Sequence, residues 1–383
     1  MYFQDVVGQK SLKSKLIANA LNKRISHAQL FLGSEGSGNL ALAVAYSRYI
    51  LCKNPGEEDA CFTCSSCKKM DSLTHPDLHF FFPTYRPKSD LEPKKDQTAK
   101  VFHKHWREML LETGYPSYAL WLEKIGVQNQ QAMIYAADCN DIIKSTAMKP
   151  FESSRNVVIV WMIEKLKAHD ASRLLKTLEE PPGQTVFLLL SENKDEIVKT
   201  ILSRTQIVNI PFLQDRDISD FLVKKHGIEP ENARRLAFLS GGSFSETQRM
   251  LQCEYDPMAE FQDFRNWMRL CFDKNRSMIE LLKWVDGFAK EGRERQKAML
   301  QRGLAIVRKC VLHNYHAERA IRVENEIMDF IGKFSVFVNH TNTLEIVEKL
   351  NKAIYHVERN ANAKIVFTEL SFAMANLLKR KAQ

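Results

Sequence analysis

No stretch of the 383 residues approaches a membrane-crossing helix in length, for which about 20 consecutive apolar residues are needed. The opening Met1-Tyr2-Phe3-Gln4-Asp5 has no basic region running into an apolar one, so a secretory leader is not expected either. Both absences point to a cytoplasmic protein with no membrane partner. Charge of one sign is not in large excess: a net +9 spread over the whole chain permits contact with nucleic acid but does not by itself mark a binding stripe. From Phe261 to the end the chain is largely free of proline and glycine. Apolar residues recur there at helical spacing, as in Phe261, Phe264, Trp267, Met268 and Cys271, or Ile346, Leu350, Ile354 and Val357, which predicts an all-helical domain.

A fifth absence is chemical. Gly33-Ser34-Glu35-Gly36-Ser37-Gly38-Asn39-Leu40 has the spacing of a phosphate-binding P-loop. A working loop carries a lysine for the β and γ phosphates, followed by a hydroxyl for Mg²⁺. Asn39 and Leu40 stand at those two places. Taken alone, a glycine-rich turn is only a turn. Its context is specific, however: Ala28-Gln29-Leu30-Phe31-Leu32 precedes it like a buried strand, and Leu40 to Leu51 follows with helical spacing. A further absence lies at Val157-Val158-Ile159-Val160-Trp161-Met162-Ile163, an apolar run of the kind buried on both faces of a parallel sheet. The end of such a strand in a nucleotide hydrolase carries acids that hold Mg²⁺, and here Trp161 and Met162 occupy those positions. The next acid, Glu164, reads as a solvated pair with Lys165.

What is present is ordinary for a globular protein, with 44% apolar and 26% charged residues and length enough for two or three domains. An amphipathic helix is expected within residues 5–25, and a turn at His75-Pro76-Asp77 entering a strand through Phe80-Phe81-Phe82. Residues 84–104 read as a charged surface excursion, and a helix is expected from about Asn129 to Ser145. A helix from Ala168 to Glu180 ends at Pro181-Pro182-Gly183, Thr185 to Leu190 reads as a buried strand, Ile197 to Leu202 as a short helix and Gln206 to Ile210 as a last strand. Alternating strands and helices predict an α/β fold with a parallel sheet and helices on both faces. Residues 213–255 read as a small helical lid, and Leu377 to Lys381 as a frayed helix end.

Of the eight cysteines, four crowd into residues 52–67. Cys61-x-x-Cys64-x-x-Cys67, with Cys52 nine residues upstream, can set four thiolates around one tetrahedral metal ion. Four ligands leave no open position, so structural zinc is the expectation, with an iron–sulfur cluster or uncoordinated cysteines as the rivals. His75 and His79 are not needed as ligands. Cys139, Cys253, Cys271 and Cys310 fall in helical patterns and read as buried thiols.

Together these segments resemble the AAA+ clamp-loader family of bacterial DNA polymerase III. The resemblance rests on His27-Ala28-Gln29-Leu30-Phe31-Leu32-Gly33, the four-cysteine insert, His75-Pro76-Asp77-Leu78, Leu174-Leu175-Lys176-Thr177-Leu178-Glu179-Glu180-Pro181-Pro182 and Thr200-Ile201-Leu202-Ser203-Arg204, which span residues 5 to about 212. It implies an AAA+ core (1–212) with a four-cysteine zinc insert (52–67), a helical lid (213–255) and a helical collar (256–383). It further implies a ring with tau/gamma motor and delta subunits that acts on a sliding clamp and primer-template DNA, ATP being bound by the partners. Arg204 matches the arginine of the family's Ser-Arg-Cys motif, with Thr205 in place of the cysteine, and would reach in trans into a neighbour's ATP site. Read without the family, Arg204 is a helix cap or a partner of Glu179 or Glu180. The losses at Asn39, Leu40 and the acidic pair imply a subunit that does not hydrolyse ATP itself. An ATPase with an irregular loop and a zinc-dependent DNA-binding module are the alternatives.

Overall fold

The structure is a computed structural model that describes residues 1–85, 98–127, 131–251, 257–272 and 278–380. Cys253 and most of the charged segment at 84–104 lie outside these residues. The chain divides into two units, 1–251 and 252–383.

In the first unit five parallel strands form one sheet in the order β2-β3-β4-β1-β5: β1 (Ala28–Leu32), β2 (Leu78–Phe81), β3 (Asn156–Val160), β4 (Thr185–Ser191) and β5 (Gln206–Asn209). The three central strands are apolar and buried nearly throughout, as a parallel sheet covered on both faces requires. Phe31 of β1 lies between Leu190 of β4 and Val208 of β5, so the strand leading into the glycine loop is held from both sides. β5 is an edge strand with a mostly exposed surface.

Helix α1 (Lys10–Leu21) precedes β1, and α2 (Asn39–Leu51) starts directly from the glycine loop and is buried along almost its whole length. The insert follows as α3 (Ser65–Asp71). Between β2 and β3 run α4 (His103–Thr113), α5 (Tyr118–Lys124) and α6 (Ala136–Ala147). Helix α6 starts later than expected, because Thr84 first bridges Met133 and Ile134 bridges Leu166. Of the expected surface excursion, Thr98 and Ala99 are instead buried, Ala99 donating its N–H to Asp138 at 2.9 Å. Helices α7 (Ala168–Glu179) and α8 (Lys199–Leu202) flank β4 in sequence. Three helices close the unit: α9 (Asp215–His226), α10 (Pro230–Leu239) and α11 (Phe244–Leu251).

The second unit is helical, with α12 (Pro257–Phe272), α13 (Met278–Phe288), α14 (Arg293–Asn314), α15 (Asn325–Phe334), α16 (Thr343–Glu358) and α17 (Ala363–Leu377). Its core gathers Phe261, Phe264, Trp267, Met268 and Cys271 with Ile346, Leu350, Val357 and Phe367. Trp267 Nε1 satisfies itself on Ser371 Oγ at 2.8 Å. Of the expected frayed helix end, Leu377 and Leu378 are instead buried and Arg380 pairs with Glu345 at 2.7 Å, while Lys381 lies outside the described residues. Among the described residues, no helix is long and apolar enough to cross a membrane.

Candidate functional site: a filled glycine loop, a four-thiol cluster and Arg204

The glycine loop forms the expected turn. Gly36 and Gly38 take the left-handed backbone (φ 78° and 94°) that a side chain disfavours. The Gly33 N–H donates to Ser191 O of β4 at 3.1 Å, fastening the loop to the sheet. The interior of the turn is occupied by the chain itself. Asn39 folds its amide back: Nδ2 donates to Gly33 O at 3.1 Å and Oδ1 accepts the Leu40 N–H at 2.7 Å. Asn39 is 7% exposed, so the position that would project a lysine toward phosphates points into the protein.

The outer side of the loop is covered as well. The Phe244 N–H at the start of α11 donates to Gly36 O at 2.9 Å, and a side chain on Gly36 would run into Ser243 Oγ. Tyr115 packs over Gly38, its ring 4.8 Å from that of Phe244, and its hydroxyl accepts the Val7 N–H at 2.7 Å. Gln248 of α11 donates to Thr113 O at 2.8 Å, and Arg249 pairs with Glu35 of the loop at 3.0 Å.

The end of β3 departs from expectation at Glu164. Met162 takes a left-handed turn (φ 55°) that throws Ile163–Lys165 into a 3-10 helix, and Glu164 turns inward to 8% exposure instead of pairing at the surface. Its Oε1 accepts the Glu192 N–H at 3.1 Å, while Lys165 faces Glu196 at 3.6 Å. Glu35, Glu164 and Glu192 come from the loop and from the ends of β3 and β4, where a nucleotide hydrolase gathers phosphates and Mg²⁺. Burial raises all three carboxyls, and Glu192, repelled further by Glu35 and Glu164, is pushed up to about 8.

The four insert cysteines meet. Cys52, Cys61, Cys64 and Cys67 present sulfurs that all lie within 4.8 Å of one another, with Cys52–Cys64 and Cys61–Cys67 at 4.0 Å and Cys52–Cys67 at 3.7 Å. Four Zn–S bonds of ~2.3 Å in a tetrahedron give S···S edges of ~3.8 Å, so the spacing fits such an ion. It is far too long for S–S bonds of ~2.05 Å, and the four thiols are free. Backbone N–H groups already point at the sulfurs: Cys61 N to Cys52 at 3.3 Å, Cys64 N to Cys61 and Cys67 N to Cys64 at 3.4 Å each. For Cys61, burial opposes ionisation, but the N–H groups of Cys64 and Thr63 outweigh it and bring the thiol down to about 6. The histidines stay apart from the cluster. His75 bridges Ser66 Oγ at 3.2 Å and the Asp77 N–H at 3.2 Å, and Asp77 accepts the Phe151, Glu152 and Ser153 N–H groups.

Arg204 lies just past α8. Its Nη1 donates to Thr200 O at 2.9 Å and its Nε pairs with Glu179, with 30% of the side chain exposed. Within the single chain Arg204 therefore has the cap and the acidic partner that its neighbours in sequence suggested. Sequence reasoning missed Tyr115 and Arg249. Neither belongs to a motif, and only the fold carries them to the loop.

A parallel sheet of this strand order, with a glycine loop between β1 and α2 and three helices after β5, is the AAA+ arrangement. The family described as DNA polymerase III, delta subunit, matches residues 8–214, and the chain belongs to it as a delta-prime-type member. It is 30% identical over 224 residues to "DNA polymerase III subunit delta'" of Bacillus subtilis, covering 58% of this chain and 54% of that one. It is 27% identical over 243 residues to the subunit of the same name from Pseudomonas aeruginosa, covering 63% and 60%. With "DNA polymerase III subunit gamma" of Buchnera aphidicola it shares 24% over 257 residues, covering 66% and 58%. The matches thus span between about half and three fifths of these relatives. A solved gamma subunit-related protein of Thermotoga maritima aligns with 97% of this chain and all of that one at 14% identity and a TM-score of 0.42, too distant to inform the site.

Proposed function

We propose that this chain is a cytoplasmic, non-hydrolysing delta-prime-type subunit of the DNA polymerase III clamp loader. It supports ATP-dependent loading of the sliding clamp onto primer-template DNA as a fixed member of a ring with the tau/gamma motor and delta subunits. The observation that carries this reading is the filled glycine loop: Asn39 replaces the lysine and turns inward, and Gly36 and Gly38 are covered by Phe244 and Tyr115. Three carboxyls raised by burial, Glu35, Glu164 and Glu192, line the loop and the ends of β3 and β4, and none of them supplies the cation that a triphosphate needs. Residues 1–212 act as the AAA+ core, 213–255 as a lid held against it and 256–383 as the collar. The four cysteines hold a structural zinc ion that fixes the insert and takes no part in a reaction.

The role left to this chain in ATP turnover is Arg204. A guanidinium placed at a neighbour's developing phosphoryl charge lowers that barrier without any nucleotide of its own. The Glu179 pair is exposed and weak, so a bound triphosphate competes with it readily. In a reconstituted loader, Arg204→Ala should slow ATP turnover on the order of tenfold or more at the site it serves while leaving assembly intact. Unchanged turnover in an intact complex contradicts the finger.

A further inference from the structure

The least expected buried group in the first unit is Arg48, on the last turn of α2. Its side chain has no exposure, yet among the described residues only Nη1 is bonded, to Cys67 O at 3.2 Å and Asp71 Oδ1 at 2.7 Å. Nε and Nη2 are buried with no hydrogen-bond partner among those residues. The Tyr2 ring covers the guanidinium at 3.7 Å, and Tyr2 in turn stacks on Phe62 at 4.3 Å, inside the Cys61-x-x-Cys64 loop. The carboxylate paired with it, Asp71, has 55% of its side chain exposed. A cation buried with two of three nitrogens unmet and a half-solvated counter-charge is unfavourable unless further negative charge lies close by.

That charge is available in the cluster that Arg48 touches through Cys67. Four thiolates around a divalent ion carry a net −2, whereas four neutral thiols carry nothing. We propose that Arg48 is the counter-cation and positioning residue of the Cys52, Cys61, Cys64 and Cys67 metal centre. Metal loading makes burial of this guanidinium favourable, and the guanidinium in return tightens the site's hold on metal. The two effects are equal in size, because a coupling free energy is reciprocal. The same contacts pin α3 through the Cys67 carbonyl and lay Tyr2 against the insert, so the segment before α1 rides on the loaded centre. This rests on the zinc reading given above.

The test is the zinc affinity of the full chain, measured by competition with a chromophoric chelator, for the wild type, Arg48→Met and Arg48→Lys. Arg48→Met, close in length but uncharged, should bind zinc about tenfold or more weaker, with Arg48→Lys intermediate. The metal-free form of Arg48→Met should melt no lower than metal-free wild type. Equal zinc affinities, or equal destabilisation of the loaded and metal-free forms, would overturn the proposal. Should Arg48→Met fail to fold, arginine modification with 2,3-butanedione decides on the wild type alone. Residue 48 is protected with zinc bound and modified after chelation, and equal protection in both states overturns the coupling. A wild type that takes up no zinc removes the zinc reading itself, a result separate from a bound ion that ignores Arg48.

Discussion

The Tyr115 hydroxyl accepts the Val7 N–H at 2.7 Å while the same ring lies over Gly38. One side chain thus joins the segment before α1 to the glycine loop, and burial pushes its phenol pKa well up. Tyr115→Ala removes a buried ring and should cost about 3–5 kcal/mol, read as a fall in the urea midpoint. It should not create nucleotide affinity, because the lysine and hydroxyl are still missing. Tight Mg·ATP binding by this variant would show that the ring alone blocks an otherwise competent site.

Glu192 gives a pH signature. Its folded pKa of about 8 lies above the ordinary 4.5, so the folded state holds this proton more strongly than the unfolded one. Stability from this group is therefore complete below the unfolded value and lost as pH rises toward the folded one. Glu192→Gln should raise the melting temperature relative to wild type near pH 9, with the difference shrinking as the pH falls to about 5. A constant difference across that range would mean that the carboxyl is not the cause.

Chelation should act locally. The cysteines form a small cluster of their own, separate from the main core, with Tyr2 packed against it. Removing zinc should release residues 52–72 and the start of the chain to hydrogen exchange while β1, β3 and β4 stay protected. Acid should do the same, because thiolate ligands take up protons as metal leaves. Exchange unaffected by chelation would argue against a structural ion.

Much of this was legible in the sequence. The apolar runs of β1, β3 and β4 and the helices after Phe261 followed from period and composition, because burial on both faces leaves no polar alternative. The cysteine spacing likewise announced a cluster whose sulfurs do meet. Glu164 was not legible: a single left-handed residue, Met162, decides whether it faces water or the sheet end. The filling of the glycine loop was half legible. Asn39 and Leu40 declared the missing chemistry, but Tyr115 and Arg249 reach the loop from 76 and 210 positions away, and no local pattern encodes that. Arg204 was legible in two ways at once, and the single chain displays the contact with Glu179.

The most direct measurement is nucleotide binding and turnover by the purified chain alone, with Mg²⁺ and a fluorescent ATP analogue titrated into the millimolar range. The account predicts no saturable binding and no hydrolysis above the buffer rate. Stoichiometric Mg·ATP binding with turnover that Gly38→Val abolishes would contradict it.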